Sequence, residues 1–254
     1  MSRVLPLQKG VIYGPVDSRR LGRSLGINLM PTAYKVCSFN CVYCHYGWTR
    51  YLETDLSGRL CDLATVEAVE SALRKSLETI EPPQYITLCG NGEPTLHPDF
   101  ARMVDTVLRV RDSAGSPAKV AILSNSTGVC RPGVREALQR LDARMMKLDA
   151  GTQDVLARIN RPAGGVALEK IVNGLSDLSE VTLQSAFVTG EVSNCSDEDI
   201  EAWLSQVVRI NPIYVQVYSL ENAPAMATLR GVPSERLREI VGRLAHSGIK
   251  AGAY

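Results

Sequence analysis

Short apolar runs alternate with longer amphipathic segments along the whole chain. The short runs, rich in Val, Ile and Leu, predict strands at residues 26–30, 85–89, 119–123, 144–148, 181–188, 213–218 and 249–253. Segments with apolar residues at helical spacing predict helices at residues 63–77, 98–111, 133–141, 154–159, 168–178, 197–208 and 233–245. Strands alternating with helices indicate right-handed βαβ units on a parallel sheet, which is an α/β fold.

Polar and glycine-rich motifs follow the predicted strands. They comprise three cysteines after the first strand and residues 90–95, 124–126, 149–151 and 218–222 after later ones. In a β/α barrel the active site lies at the carboxyl ends of the strands, so these motifs are expected to meet there. The pattern alone is equally compatible with a barrel and with an open sheet.

Length and composition fit one globular domain, predicted over residues 1–254, with residues 1–25 as an N-terminal extension packed near the cysteines. The length of 254 residues is close to the about 250 typical of a β/α barrel. A net charge of +1 argues against a large non-specific nucleic-acid surface. No apolar run approaches the roughly 20 residues of a membrane span, and no signal peptide is evident, so a cytoplasmic protein is expected.

Cys37, Cys41 and Cys44 form a C-x3-C-x2-C motif. Three thiolates on one short loop can bind three irons of a cubane cluster and leave the fourth iron open to another ligand. A structural zinc site with His45 or a distant cysteine is the alternative, although such sites usually pair two cysteine knuckles or add a histidine pair. A disulfide framework is disfavoured by the odd number of cysteines, seven, and by the absence of a secretory signal.

The segment Gly90-Asn91-Gly92-Glu93-Pro94-Thr95 follows a strand and opens a helix. Two glycines let the backbone turn sharply and bring amide and carbonyl groups to a ligand, and Glu93 adds an acceptor. Ser124 and Asn125 follow the next strand; helix capping is the alternative role for both. Asp149 and Gln184, on later strands, are predicted either to face the barrel interior or to act as a cap and a buried hydrogen-bonded amide.

Together these motifs resemble the radical S-adenosylmethionine (SAM) superfamily. The segments GPV-x-SRRLG-x-SLG at residues 14–26, GNGEPTLHP at 90–98 and VQVYSLENAP at 215–224 resemble a subgroup related to the wybutosine-synthesis enzymes of tRNA modification. The resemblance spans nearly the whole chain. It implies a partial (β/α)6 TIM-like barrel, a 4Fe-4S cluster held by Cys37, Cys41 and Cys44, and SAM bound at the open iron.

The resemblance also implies roles for individual residues. The SAM contacts expected from it are Tyr43, Gly90, Asn91, Gly92, Glu93, Ser124, Asn125, Asp149 and Gln184. Four basic residues near the cysteine loop are candidates for binding an anionic group of the substrate: Arg19, Arg20, Arg23 and Lys35. Surface ion pairing is the alternative for the arginines.

The function implied is reductive cleavage of SAM to a 5′-deoxyadenosyl radical, which abstracts hydrogen from a substrate. An external one-electron donor of the flavodoxin or ferredoxin type is the expected partner. A small molecule, such as a nucleotide or natural-product precursor, is the first prediction for the substrate, and a tRNA base is the second. No cysteine precedes Cys37, whereas the wybutosine enzymes carry an upstream cysteine set. A non-catalytic zinc-binding barrel is the alternative from another class.

Overall fold

The computed structural model describes residues 4–254. The predicted domain and its extension both include residues 1–3, which lie outside the described residues. Eight strands form one sheet in the order β1-β2-β5-β6-β7-β8-β10-β12. The strands, numbered along the chain, are β1 Ile12–Ser18, β2 Gly22–Ile27, β3 Val36–Cys37, β4 Tyr51–Leu52, β5 Tyr85–Leu88, β6 Lys119–Ser124, β7 Ala143–Lys147, β8 Val181–Ala186, β9 Val188–Gly190, β10 Tyr214–Tyr218, β11 Leu229–Gly231 and β12 Ala251–Ala253.

Within the eight-stranded sheet, all pairings from β2 to β12 are parallel, and β1 alone joins it antiparallel, as a hairpin with β2. Helices connect the parallel strands: α1 Val66–Thr79, α2 Phe100–Ser113, α3 Pro132–Gln139, α4 Gln153–Ile159, α5 Leu168–Ser176, α6 Asp197–Ile210 and α7 Ser234–His246. The six strands from β2 to β10 therefore alternate with helices, as predicted for a partial (β/α)6 barrel.

Local sequence explains where several helices begin. The hydroxyls of Thr65, Thr152 and Ser196 cap α1, α4 and α6 by accepting a backbone N–H from the first turn. The first turn of α6 also carries three acidic residues, which interact favourably with the positive end of the helix dipole. The loop before α4, residues 148–152, follows the parallel strand β7 and therefore lies at the carboxyl edge of the sheet.

Two predicted strands differ from the structure by more than a shift of one or two residues at an end, or continue into a separate strand. The first was predicted at 26–30 but runs from Gly22 to Ile27, because the Asn28 side chain bonds the backbone of Met30 and turns the chain out of the sheet. The strand predicted at 181–188 ends at Ala186, whose N–H donates to Asp149. Residues 188–190 form β9, which pairs with β11 in a separate ribbon.

Within residues 4–254, no helix has both the length and the apolar character needed to cross a bilayer.

Candidate functional site

The cysteine loop lies at the carboxyl edge of the sheet, between the glycine turn and the end of α4. Val36, next to Cys37, forms a parallel bridge with Gly92 of the glycine turn. On the other side, the N–H of Val42 donates to the carbonyl of Ile159 at 3.0 Å. The loop is thus held by backbone contacts from two other parts of the barrel.

Each cysteine sulfur accepts a hydrogen bond from a side-chain N–H. The donors are Lys35 Nζ, 2.9 Å from Cys44 Sγ; Asn125 Nδ2, 3.4 Å from Cys37 Sγ; and Asn160 Nδ2, 3.4 Å from Cys41 Sγ. Donors of this kind stabilise a thiolate more than a thiol. The three sulfurs therefore lie in positions suited to the deprotonated form that binds iron.

Burial opposes that ionisation while no metal is bound. Burial raises the pKa of Cys37 to about 12, although the Lys35 ammonium acts in the opposite direction. It raises the pKa of Cys41 to about 11, and Asp149 adds to the rise. Burial therefore favours the thiol form of both residues, and a metal bound by their thiolates would displace the protons.

Within residues 4–254, no three His, Cys, Asp or Glu side chains are grouped as the ligands of a single metal ion. A cubane cluster requires a different geometry, because each cysteine binds a different iron and the sulfurs are spaced around the whole cluster, further apart than the ligands of a single ion. Three cysteines on one loop, each with an N–H donor and facing a common cavity, fit that requirement.

The cavity beside the cysteines has a volume of about 240 Å³. Its walls contain all three cysteines together with most of the residues expected to contact SAM: Tyr43, Gly90, Gly92, Glu93, Ser124, Asn125 and Gln184. Arg20, Lys35, Lys147 and Tyr218 also line it. The structure thus brings together motifs that are far apart in the sequence.

The two glycines of the turn are required by their surroundings. Gly90 has φ +129°, a conformation that other residues rarely adopt, and a Cβ there would lie 2.5 Å from Asn28 Oδ1. A Cβ on Gly92 would lie 1.8 Å from the carbonyl oxygen of Val36. The turn can therefore lie against Asn28 and against the start of the cysteine loop only because Gly90 and Gly92, respectively, lack side chains.

Glu93 connects the glycine turn to the residues after β6. Its buried carboxylate accepts bonds from Thr95 N at 3.0 Å, Thr95 Oγ1 at 2.6 Å, Ser124 Oγ at 2.8 Å and Asn125 N at 2.6 Å. Burial raises the pKa of Glu93, while these donors lower it. Three of these bonds end on Oε1 and one on Oε2, so a single carboxylate holds the two segments together.

Two of the predicted SAM contacts do not line this cavity. Asn91 is buried beneath the turn, where its side chain bonds Gln8 N and O and the carbonyl of Pro31. Asp149 lies behind Tyr43 and accepts bonds from the Tyr43 hydroxyl and from Asn160 Nδ2, the latter at 2.7 Å. Both residues hold other parts of the site in position.

Lys147 lines the cavity but is not among the site residues predicted from the sequence. Its ammonium lies 3.3 Å from Asp149 Oδ1 and donates to the Tyr218 hydroxyl. Burial lowers the pKa of Lys147, but Asp149 and Tyr218 raise it more, so the amine remains charged. Its place at the end of a predicted strand, two residues before Asp149, was the available signal.

The four basic candidates near the cysteine loop separate in the structure. Arg20 and Lys35 line the cavity. Arg19 is exposed and pairs with Glu221 at 2.9 Å, whereas Arg23 pairs with Glu81 at 3.0 Å, away from the cavity. The arginine cluster predicted from the sequence therefore contributes one cavity residue.

The remaining four cysteines are not brought to the cavity. Cys61 and Cys130 are exposed, and Cys195 lies beside Arg236. Cys89 is in hydrogen-bond contact with the Tyr13 hydroxyl at 2.7 Å.

A partial parallel barrel with three cysteines on a loop beside a glycine-rich turn defines a class of iron–sulfur enzymes. The sequence model described as "Radical SAM superfamily" matches residues 32–207. Because this match covers more than half of the chain, the chain belongs to the radical SAM superfamily. Enzymes of this superfamily use a 4Fe-4S cluster and SAM.

Two curated relatives cover most of the chain. A UPF0026 protein of Synechocystis sp. is 33% identical, over 95% of this chain and 83% of its own length. A protein of Brachyspira hyodysenteriae named "GTPase Obg" is 28% identical over 90% of this chain. The chain matches about a third of that relative's length, 32%.

Solved structures share the fold at low sequence identity. A radical SAM methyltransferase from Sphaerobacter thermophilus has a TM-score of 0.66 and 15% identity, over 91% of this chain and 65% of that one. Streptococcus suis SuiB bound to S-adenosylmethionine has a TM-score of 0.62 and 12% identity, over 89% of this chain and 50% of that one. TYW1 with a lysine-pyruvate adduct bound has a TM-score of 0.58 and 14% identity, over 88% of this chain and 73% of that one.

Proposed function

We propose that this protein is a radical SAM enzyme acting on a small-molecule substrate, with Cys37, Cys41 and Cys44 as the ligands of its 4Fe-4S cluster. When bound, the cluster and SAM supply one-electron cleavage of SAM to methionine and a 5′-deoxyadenosyl radical, which abstracts hydrogen from the substrate. The observation that carries the proposal is the arrangement of the three sulfurs, each with its own N–H donor, on one cavity with the glycine turn.

The protein's own residues would position SAM and exclude water. Gly90 and Gly92 offer backbone groups at the cavity wall, and Ser124 and Asn125 stand beside them because Glu93 binds both segments. Tyr43 and Gln184 complete the wall from the cysteine loop and β8. An external one-electron donor of the flavodoxin or ferredoxin type would supply the electron.

The test is anaerobic reconstitution with iron and sulfide, followed by addition of dithionite and SAM and mass spectrometry of the products. Formation of 5′-deoxyadenosine is expected. Methylthioadenosine would instead indicate cleavage of another C–S bond, and stoichiometric zinc without a brown cluster would favour the zinc-binding alternative. Either of these results would contradict the proposal.

A tRNA base is the second candidate substrate, favoured by the resemblance of residues 14–26 to the wybutosine-related subgroup. Binding to tRNA would weaken steeply with added salt, because contacts to phosphates release counterions. A filter-binding titration with tRNA at two salt concentrations distinguishes the candidates. The small-molecule proposal expects no salt-dependent tRNA binding.

Replacing Lys35 with Met is expected to lower the reduction potential of the cluster. Lys35 places a buried positive charge 2.9 Å from Cys44 Sγ, and a nearby cation stabilises the more negative, reduced cluster. A fall on the order of 60 mV is expected, the one-electron equivalent of about 1.4 kcal/mol. Potentiometric titration followed by electron paramagnetic resonance measures it.

Lys35→Arg, which keeps the charge, is the matched control and is expected to shift the potential much less than Lys35→Met. Iron content is measured for both variants, so that loss of the cluster is not mistaken for a changed potential. An unchanged potential in Lys35→Met with full iron content would refute the electrostatic effect.

A further inference from the structure

Arg20 lies where the first hairpin meets the last strands of the barrel. The strands β1 and β12 are the two edges of the sheet. The tip of the β1–β2 hairpin reaches the end of β10, where Arg19 bonds Glu221 and the Arg20 guanidinium lies 4.1 Å from the centre of the Tyr218 ring. We call this contact, between residues 19–21 and 218–221, the seam.

The Arg20 guanidinium is poorly satisfied by its own protein. Its Nη1 atom is buried, and within residues 4–254 it has no hydrogen-bond partner. The nearest carboxylate oxygen, Glu221 Oε1, lies 3.8 Å away, beyond hydrogen-bond distance. Buried donors are normally paired, so a donor without a partner at a cavity wall indicates an acceptor that the protein itself does not supply.

The charges at the seam leave a positive excess. Glu221 is shared by Arg19 and Arg20, and it lies closer to Arg19, at 2.9 Å. Lys147 is already neutralised by Asp149 at 3.3 Å. One carboxylate therefore faces two guanidiniums, and Arg20, the one that lines the cavity, is the less neutralised of the two.

The Tyr218 ring contacts two of the basic residues that line the cavity, Arg20 and Lys147. Arg20 stacks on it at 4.1 Å, and Lys147 Nζ lies 4.9 Å from its centre while donating to its hydroxyl. A stacked guanidinium keeps its N–H groups in the plane of the fork, where they can bind two oxygens of one anion. The seam thus presents one fixed guanidinium fork to the cavity, beside a lysine that Asp149 already pairs.

We propose that the seam binds an anionic group of the substrate, a carboxylate or a phosphate, through Arg20. This proposal rests on the proposed function in taking the cavity as the place where the substrate is held. It selects small molecules that carry a negative charge and excludes neutral or cationic ones as the preferred substrates.

Calorimetric titration of the reconstituted, SAM-bound protein with inorganic phosphate or with acetate, at low ionic strength, tests this assignment. We expect Arg20→Gln to weaken binding of the preferred anion at least tenfold. Glu221→Gln is expected to tighten it severalfold, because removing the shared carboxylate increases the positive charge on Arg20. Opposite changes in anion affinity in Arg20→Gln and Glu221→Gln are not explained by a general folding defect.

Arg23→Gln is the matched control, since it removes the same charge from the same hairpin at a position paired with Glu81 outside the cavity. Its anion affinity is expected to stay within threefold of wild type. Tighter binding of phosphate assigns a phosphate group, and tighter binding of acetate assigns a carboxylate.

Three results would overturn the assignment. They are no binding of either anion to the wild type, equal affinity in Arg20→Gln and Arg23→Gln, and a loss of SAM affinity in Arg20→Gln as large as its loss of anion affinity. The last would assign Arg20 to the carboxylate of SAM. Formation of 5′-deoxyadenosine by the wild type is measured separately, so failure of the proposed function is distinguishable from failure here.

Discussion

Replacing Cys37, Cys41 or Cys44 with Ala is expected to abolish both the 4Fe-4S cluster and the cleavage of SAM. On the proposed assignment each cysteine is the only protein ligand of one iron, and its sulfur has an N–H donor that would lose its acceptor. We expect 5′-deoxyadenosine formation to fall at least a thousandfold. Iron and sulfide analysis, absorbance near the brown cluster band and product mass spectrometry measure the effect.

Cys61→Ala and Cys130→Ala are the matched controls, because both thiols are exposed and lie outside the cavity. They are expected to keep the cluster and SAM cleavage. Cys→Ser variants at the three loop positions, which nearly preserve side-chain volume, separate loss of a ligand from loss of packing. Full cleavage activity in any of the three loop variants would refute the ligand assignment.

Gly92→Ala is expected to disrupt the site through its backbone. The added Cβ would lie 1.8 Å from the carbonyl oxygen of Val36, so the glycine turn and the cysteine loop would have to separate. Backbone displacement of this kind costs about 1–3 kcal/mol or more, and SAM affinity is expected to fall by about a hundredfold. Equilibrium dialysis with SAM and thermal unfolding measure the two effects.

Gly242→Ala is the control for that variant. Gly242 lies within α7, and a Cβ there would meet no atom within 4 Å. Alanine favours a helix interior over glycine, so stability is expected to rise slightly and SAM affinity to stay unchanged. Wild-type SAM affinity in Gly92→Ala would show that the close approach is not needed.

The parts of the site predicted from the sequence are those encoded by neighbouring residues. The cysteine spacing, the glycine turn and Ser124-Asn125 each form a short segment after an apolar run, and parallel strands bring such segments to one edge. The sequence therefore predicted that these groups would meet at one cavity. The α/β class followed from the same alternation of strands and helices.

The parts that were missed depend on contacts between distant residues. Asn160, at the end of α4, donates to Cys41, and Lys147 is positioned by its ion pair with Asp149 and its hydrogen bond to Tyr218. The local sequence of Asn160 resembles that of any helix cap, and the position of Lys147 at a strand end, two residues before Asp149, was the one local signal for either residue. Strand β1 was missed because its residues, Ile12–Ser18, include Gly and Pro and show no alternation of apolar and polar positions.

Asn91 has a consequence for anyone exchanging segments between barrels of this kind. Its side-chain oxygen accepts the Gln8 N–H, and its side-chain N–H groups donate to the carbonyls of Gln8 and Pro31. The amino-terminal segment and the glycine turn therefore form one hydrogen-bonded unit. A grafted turn with glycine at this position would leave the Gln8 groups without their partner. A chimeric barrel that takes residues 90–95 from this protein should therefore also take the residues around Gln8.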